Sequence, residues 1–174
     1  MRSYLSILLS LLGLSTSCLG KDPLAPFLNA PAFETQRLFK DQRYPNVVVT
    51  IQGTVLAVWG NDGVVVRRSE DGGKTWGSAI SVSKKGYHGG GTTVDTTSGD
   101  VLIFVEDRQP PAPLKIFRSQ DDGKSWQIQK TKIEKDHNGN IPSMHMNEHG
   151  ITLRRGRYRG QLSRPSRYST PNGG

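Results

Sequence analysis

Ser69-Glu70-Asp71-Gly72-Gly73-Lys74-Thr75-Trp76 returns fifty positions later as Ser119-Gln120-Asp121-Asp122-Gly123-Lys124-Ser125-Trp126. Both copies read Ser-x-Asp-x-Gly-Lys-Thr/Ser-Trp, and each follows an arginine, Arg68 or Arg118, that ends a strand-like run. A period of this length is too long for one hairpin and suits a sheet of about four short strands, the size of a propeller blade. Within the motif, Asp71-Gly72-Gly73 reads as a turn in which glycine takes the positive φ. Asp71 can accept hydrogen bonds from the amides of that turn, and Ser69 can add another. Asp121, Gly123 and Ser119 hold the same places in the second copy. Trp76 and Trp126 are expected to open the next strand and to place a large ring in the core against the adjacent sheet. The motif therefore reads as a structural lock on a hairpin; the alternative is a pair of look-alike surface turns.

Working outward, the valine-rich runs 46–51, 54–59 and 64–69, followed by 76–82 after the first lock, give four short strands in one antiparallel sheet. Runs 90–95, 101–106, 114–119 and 126–132 repeat the pattern, with Pro110-Pro111-Ala112-Pro113 as a stiff loop between the second and third. Continuous valines suggest strands buried on both faces. Residues 151–155 and 162–168 look like the start of a third sheet. The fold class is all-β: a partial propeller with about two complete four-stranded blades and the start of a third. Known propellers close with at least four blades, so the chain is expected to be the N-terminal part of a longer protein. Assembly with other copies through an exposed blade edge is the alternative.

The chain has 174 residues, a formal charge of +8 and a single cysteine, Cys18, which excludes an internal disulfide. A basic balance permits an acidic partner without selecting one. Arg2, the apolar run Leu5–Leu14 and the small residues Ser15-Thr16-Ser17 read as an export signal over 1–20, too short to span a bilayer. Cys18 sits where the lipid-modified cysteine of a bacterial lipoprotein would sit, although the usual leucine is displaced by one position to Leu14. A lipid anchor at Cys18 and ordinary cleavage both stay open, with a periplasmic, cell-surface or extracellular destination. Residues 21–42 read as a lead-in, and 43–174 as the folded domain.

The repeated motif resembles the Asp-box, or BNR repeat, of the bacterial sialidase (neuraminidase) superfamily of six-bladed propellers. Gln42-Arg43-Tyr44-Pro45 is similar to the arginine motif that opens the first blade of that family. Gly53-Thr54-Val55-Leu56-Ala57 is similar to the run that follows it. Gly150-Ile151-Thr152-Leu153 with Gly160-Gln161-Leu162 and Arg164-Pro165 looks like its third-blade run. The resemblance implies an exo-alpha-sialidase-like glycosidase acting on terminal sialic acids of glycoconjugates. In that family three arginines grip the substrate carboxylate, a tyrosine with a glutamate partner is the nucleophile, and an aspartate is the acid/base. Arginine suits the carboxylate because its planar fork pairs in bidentate fashion, and tyrosine nucleophiles are the known exception among glycosidases.

Carried over position by position, Arg43 corresponds to the first carboxylate-binding arginine, against a reading as a solvated surface residue. Asp62 corresponds to the acid/base, against a plain turn aspartate in Asn61-Asp62-Gly63. Trp59-Gly60-Asn61 stands where the family often has a second arginine and a longer loop, and Gln161 replaces a common family arginine. Asp107, in Glu106-Asp107-Arg108, either lines the same funnel or is surface charge. The tyrosine, its glutamate and the other two arginines belong to later blades, so the chain alone is expected to be inactive. The competing reading is a non-catalytic propeller module that binds carbohydrate or protein.

No cofactor is called for. His145 and His149 do not form the His-Glu-x-x-His pattern of zinc proteases, since Glu148 stands beside the wrong histidine; with His137 they read as a polar loop rather than a metal cluster. The run Arg154-Arg155-Gly156-Arg157-Tyr158-Arg159 has basic residues around an aromatic, as in phosphate-gripping segments. The export signal argues against nucleic acid, and the expected partner is a sialylated or other acidic glycan.

Overall fold

The computed structural model describes residues 35–40, 45–89, 91–108, 112–140 and 149–166. The chain divides into a unit of residues 1–36, of which only the exposed pair Thr35 and Gln36 is described, and a unit of residues 37–174 that carries all strands among the described residues. The expected export segment, Cys18 and Arg43 lie outside the described residues.

Three antiparallel sheets follow one another along the second unit. Sheet 1 runs β1 (Asn46–Val49), β2 (Val55–Trp59), β3 (Val64–Ser69) and β4 (Ile80–Ser83), joined in sequence order. Sheet 2 holds β5 (Tyr87–His88), β6 (Thr93–Val94), β7 (Val101–Glu106), β8 (Leu114–Ser119) and β9 (Gln127–Gln129). Sheet 3 is the pair β10 (Ile151–Thr152) and β11 (Leu162–Ser163). No described residue is helical.

The two copies of the repeat form the same turn. Ser69 Oγ donates to Asp71 Oδ1 at 2.7 Å, and the Gly73 amide donates to Ser69 Oγ at 2.8 Å. The Thr75 amide and hydroxyl donate to the two Asp71 oxygens at 2.9 and 2.6 Å. In the second copy, Ser119, Asp121, Gly123 and Ser125 make the corresponding bonds at 2.8, 2.8, 2.9 and 2.6 Å. A carboxylate that accepts from a hydroxyl and an amide on the far side of the turn fixes the chain reversal with no help from outside the motif.

The two tryptophans behave differently from each other, and Trp76 departs from expectation. The Trp76 ring is half-buried and folds back on its own turn, with Nε1 donating to Gly73 O at 2.9 Å. The strand therefore starts at Ile80 rather than at Trp76, and a bulge opposite Val64 and Val65 shifts its register. Trp126 packs against the core, and its strand is confined to Gln127–Gln129. The expected strand over 90–95 is represented by Thr93–Val94, while Tyr87–His88 pairs separately with the far end of β7. Gly89-Gly90-Gly91 stands between them, and glycine has no side chain to pack on a pleated surface.

The core is built from the facing sides of sheets 1 and 2. Val48, Leu56, Val58, Val64, Val66 and Val82 from one sheet meet Val101, Ile103 and Val105 from the other. Burial of each such side chain stabilises the fold by about 1.5–3 kcal/mol. The expectation that β1 is buried on both faces is overturned: Val47 and Val49 are 55% and 59% exposed. Val47 and Val49 line a groove shared with β6 and β10, and no further layer covers them among the described residues.

The second turn docks on sheet 1. A Cβ on Gly123 would lie 2.9 Å from Leu56 Cδ2, a close approach that only glycine permits. Asp122, held at φ 63°, accepts from the Thr54 hydroxyl and, at 3.1 Å, from Arg68 Nη2; its carbonyl accepts from Arg68 Nε at 2.9 Å.

The locks carry a pH dependence. The Thr75 hydroxyl and amide, with the Ser69 hydroxyl, hold the Asp71 carboxyl far below the usual carboxylate range. Burial pushes the Asp121 carboxyl up, but bonds from Ser125, Ser119 and Lys124 outweigh it and leave it at about 2. Both folded values lie below the ~3.9 of an unfolded aspartate. Their contribution is therefore complete above about pH 4 and is lost as pH falls through the folded values. The urea midpoint, followed by circular dichroism, is expected to be level above about pH 5 and to fall from about pH 4 downward. In Asp121→Asn, that fall is expected to be shallower; a midpoint that rises on acidification would contradict the assignment.

Candidate functional site

Strand register fixes which ends of the sheets come together. Asn46 pairs with Val58, so the start of β1 lies beside the end of β2 and the turn Gly60–Gly63. The Gly63 amide donates to Gly86 O and the His88 amide to Gly60 O, both at 2.9 Å, which brings the start of sheet 2 to the same end. Gly60 is required here, because a Cβ on it would lie 1.9 Å from Gly63 O. Tyr87 pairs with Glu106, so the end of β7 belongs to the same rim. The Ser–Asp turns follow β3 and β8 and lie at the opposite end.

Several polar side chains are buried at this rim. Asn46 Oδ1 accepts from the Thr92 amide at 2.9 Å, which ties β1 to sheet 2. His88 and Glu106 are fully buried on neighbouring rungs, and His88 Nε2 lies 3.4 Å from Thr92 Oγ1. From sheet 3, Arg164 lays its guanidinium over the Phe104 ring at 3.8 Å and donates to Gly91 O at 2.6 Å and to Thr93 Oγ1 at 3.4 Å. His149 Nδ1 lies 2.9 Å from Thr92 O, so that nitrogen carries the proton, since a carbonyl only accepts. The Gly150 amide donates to Thr93 Oγ1 at 3.0 Å.

Asp62 sits exposed in the Gly60–Gly63 turn. Asp107 is exposed just beyond β7; its carboxylate pairs with Lys115, and its amide donates to Pro113 O at 3.1 Å. The fold thus places Asp62 and Asp107 at one rim and leads into β1 from the segment that contains Arg43. Ser69, Asp71, Gly73 and Trp76, with Ser119, Asp121, Gly123 and Trp126, are away from that rim. His137 belongs to an exposed turn in which Asp136 accepts from the Asn138 and Asn140 amides, whereas His145 and Glu148 lie outside the described residues. Among the described residues no three His, Cys, Asp or Glu side chains form a group able to hold a metal ion.

Asn46, His88, Thr92 and Arg164 had escaped the sequence reading as site-building residues. The Gly89-Gly90-Gly91 run was the available signal, since bare backbone invites close approach by another chain segment. Below the rim, the leading strands of the three sheets enclose a groove of about 800 Å³, lined by Val47, Val49, Val94, His149, Ile151 and Arg154 among others. Its lining is largely aliphatic, and Arg154 and Arg155 stand on its edge.

No family model matches the chain. The structure of the Hadza microbial sialidase Hz136 is similar, with a TM-score of 0.51 at 21% identity over 65% of this chain and 30% of that one. The fold is sialidase-like. The chain spans about 30% of the length of that sialidase. A Dyadobacter fermentans protein of unknown function overlaps less well, with a TM-score of 0.42 at 14% identity over 67% of this chain and 55% of that one.

The Arg164 side chain ties sheet 3 to sheet 2 through Phe104, Gly91 and Thr93. Arg164→Met keeps an apolar stem over Phe104 but removes the cation–π contact and both hydrogen bonds. Hydrogen exchange at Gly150 and Thr152 is expected to accelerate about tenfold or more, with Ile103 in the core unchanged. Equal protection in both proteins would show that Arg164 does not hold sheet 3.

Proposed function

We propose that the chain builds the opening blades of a six-bladed, sialidase-like propeller whose rim receives the carboxylate of a terminal sialic acid. The observation that carries this reading is the placement of three successive antiparallel sheets, leading strands inward, around one groove. The fold likeness to a microbial sialidase supports it. Arg43 stands three residues before Asn46, at the entry to the strand that opens the rim. In this role its guanidinium pairs with the sugar carboxylate in bidentate fashion. Asp62 projects from the neighbouring turn as the acid that protonates the departing glycosidic oxygen. An exposed turn suits that task, because the leaving group is a glycan chain that stays in solvent.

The chain alone lacks counterparts of the tyrosine nucleophile, its glutamate and two of the arginines. It therefore binds the sugar weakly and does not turn it over. Export through the leading apolar segment would bring it to the compartment where sialylated glycans are met.

Titration of the purified chain with N-acetylneuraminic acid, followed by saturation-transfer NMR, tests the assignment. Transfer is expected with the wild type, and its loss is expected in Arg43→Ala. Asp62→Asn should still bind, because an acid/base residue contributes to chemistry rather than to carboxylate capture. A fluorogenic sialoside is expected to stay intact. Transfer that survives Arg43→Ala would assign the chain to a binding module in which Arg43 is structural.

A further inference from the structure

The end of sheet 3 carries a second concentration of positive charge, remote from Asp62. From His149 onward the chain has six arginines and no acidic residue. Four of them, Arg154, Arg155, Arg157 and Arg159, lie in the connection between β10 and β11, and all four are exposed. That connection is a closed hairpin. The Leu153 amide donates to Gln161 O and the Gly160 amide to Leu153 O, each at 2.8 Å, and the Gln161 amide donates to Tyr158 O at 3.0 Å. Gly156 turns the chain at φ 76° with nothing within 4 Å of an added Cβ, so the turn itself, not packing, requires glycine. The register Thr152 with Leu162 puts this tip at the end of sheet 3 opposite Arg164, and Arg154 and Arg155 lie on the edge of the groove.

Four guanidinium groups on one short hairpin repel one another, and none of them belongs to an ion pair among the described residues. Among the described residues, Asp95 beside sheet 3 is engaged in its own turn through Thr97 and Ser98. Such a tip is stabilised by an external anion, and arginine with its planar fork is suited to carboxylate, sulfate or phosphate oxygens.

We infer that the Arg154–Arg159 hairpin, with the adjoining groove wall, is a docking site for a polyanionic glycan chain, separate from the rim at Asp62. Three observations favour this partner. The wall beside the arginines is aliphatic, formed by Val47, Val49 and Ile151, and suits the C–H faces of sugar rings. Tyr158 is the only aromatic in the hairpin, and Arg157 already lies over its ring at 4.4 Å, so no series of platforms is offered to stacked bases. The tip has no aliphatic side chain to enter a bilayer. The shared ligand chemistry is an oxyanion repeated along a sugar chain, either sulfate or uronate carboxylate. The inference does not rest on sialidase activity, and the sialic acid titration with Arg43→Ala tests that reading separately.

Fluorescence anisotropy with labelled chondroitin sulfate and hyaluronate oligosaccharides of matched length, at fixed low salt, tests the site. The two probes distinguish sulfate from carboxylate recognition. Binding to at least one is expected. The combined variant Arg154→Gln, Arg155→Gln, Arg157→Gln and Arg159→Gln is expected to weaken it roughly tenfold or more. A charge-matched variant, Lys84→Gln, Lys85→Gln, Lys124→Gln and Lys130→Gln, is expected to change it less than about threefold. Because all eight side chains are exposed, both variants should keep the wild-type circular dichroism spectrum. No binding to either glycan, equal losses in the two variants, or tighter binding to a single-stranded DNA of matched charge or to anionic vesicles would overturn the inference.

Discussion

The contact between Asp122-Gly123 and sheet 1 sets the relation of the two larger sheets. Gly123 lets the turn approach Leu56, a fully buried residue at the centre of the apolar core. Asp122 occupies a left-handed conformation that costs an ordinary residue about 1–2 kcal/mol, and it does so with a carboxylate bonded to Thr54 and Arg68. Burial pushes that carboxyl up, while hydrogen bonds from Thr50, Thr54 and Arg68 pull it below the usual range. Fixing sheet 2 on sheet 1 at this end determines what meets at the other. The Gly60–Gly63 turn then bonds to Gly86 and His88, Asn46 meets Thr92, and the rim carrying Asp62 takes its shape.

Elements governed by local chemistry were legible from the sequence. The Ser–Asp turns close on themselves, so Ser69, Asp71, Gly73 and their second copies could be read without any partner sheet. Strand-like runs and turn residues located β2, β3, β7 and β8 to the residue or within one, because each run is bounded by turn-forming glycine, proline or aspartate. Properties that depend on distant partners were not legible. Asp122 differs from Gly72 at the same place in the repeat, but its partners Thr54 and Arg68 are 68 and 54 residues away. The outward face of β1 looked buried, since valine alone does not say whether a further sheet covers it. Trp76 looked like a core residue because a tryptophan folded back onto its own turn leaves no mark in the periodicity.

The rim shows the same division. Asp62 and Asp107 could be placed after their strands by counting, and the register puts both at one end. Arg164, His149 and Thr92 form that rim through contacts that cross from one sheet to the next, and isolated polar residues do not announce such contacts. The arginine-rich hairpin was visible as composition, but its significance came from geometry. The tip is closed, its side chains are exposed, and Asp95 in the neighbouring turn is committed to its own chain reversal.

The most direct measurement is a double-mutant cycle between Arg68 and Asp122. Urea unfolding would be measured for the wild type, Arg68→Met, Asp122→Gly and the double variant. Glycine relieves the left-handed backbone at 122 and so separates the side-chain bond from the strain. If the second turn is what fixes sheet 2 on sheet 1, the coupling energy should be about 1–3 kcal/mol, typical of bonded neighbours in one network. Additivity within about 0.3 kcal/mol would show that the two residues act independently, and the docking of the sheets would then have to be assigned to the apolar core alone.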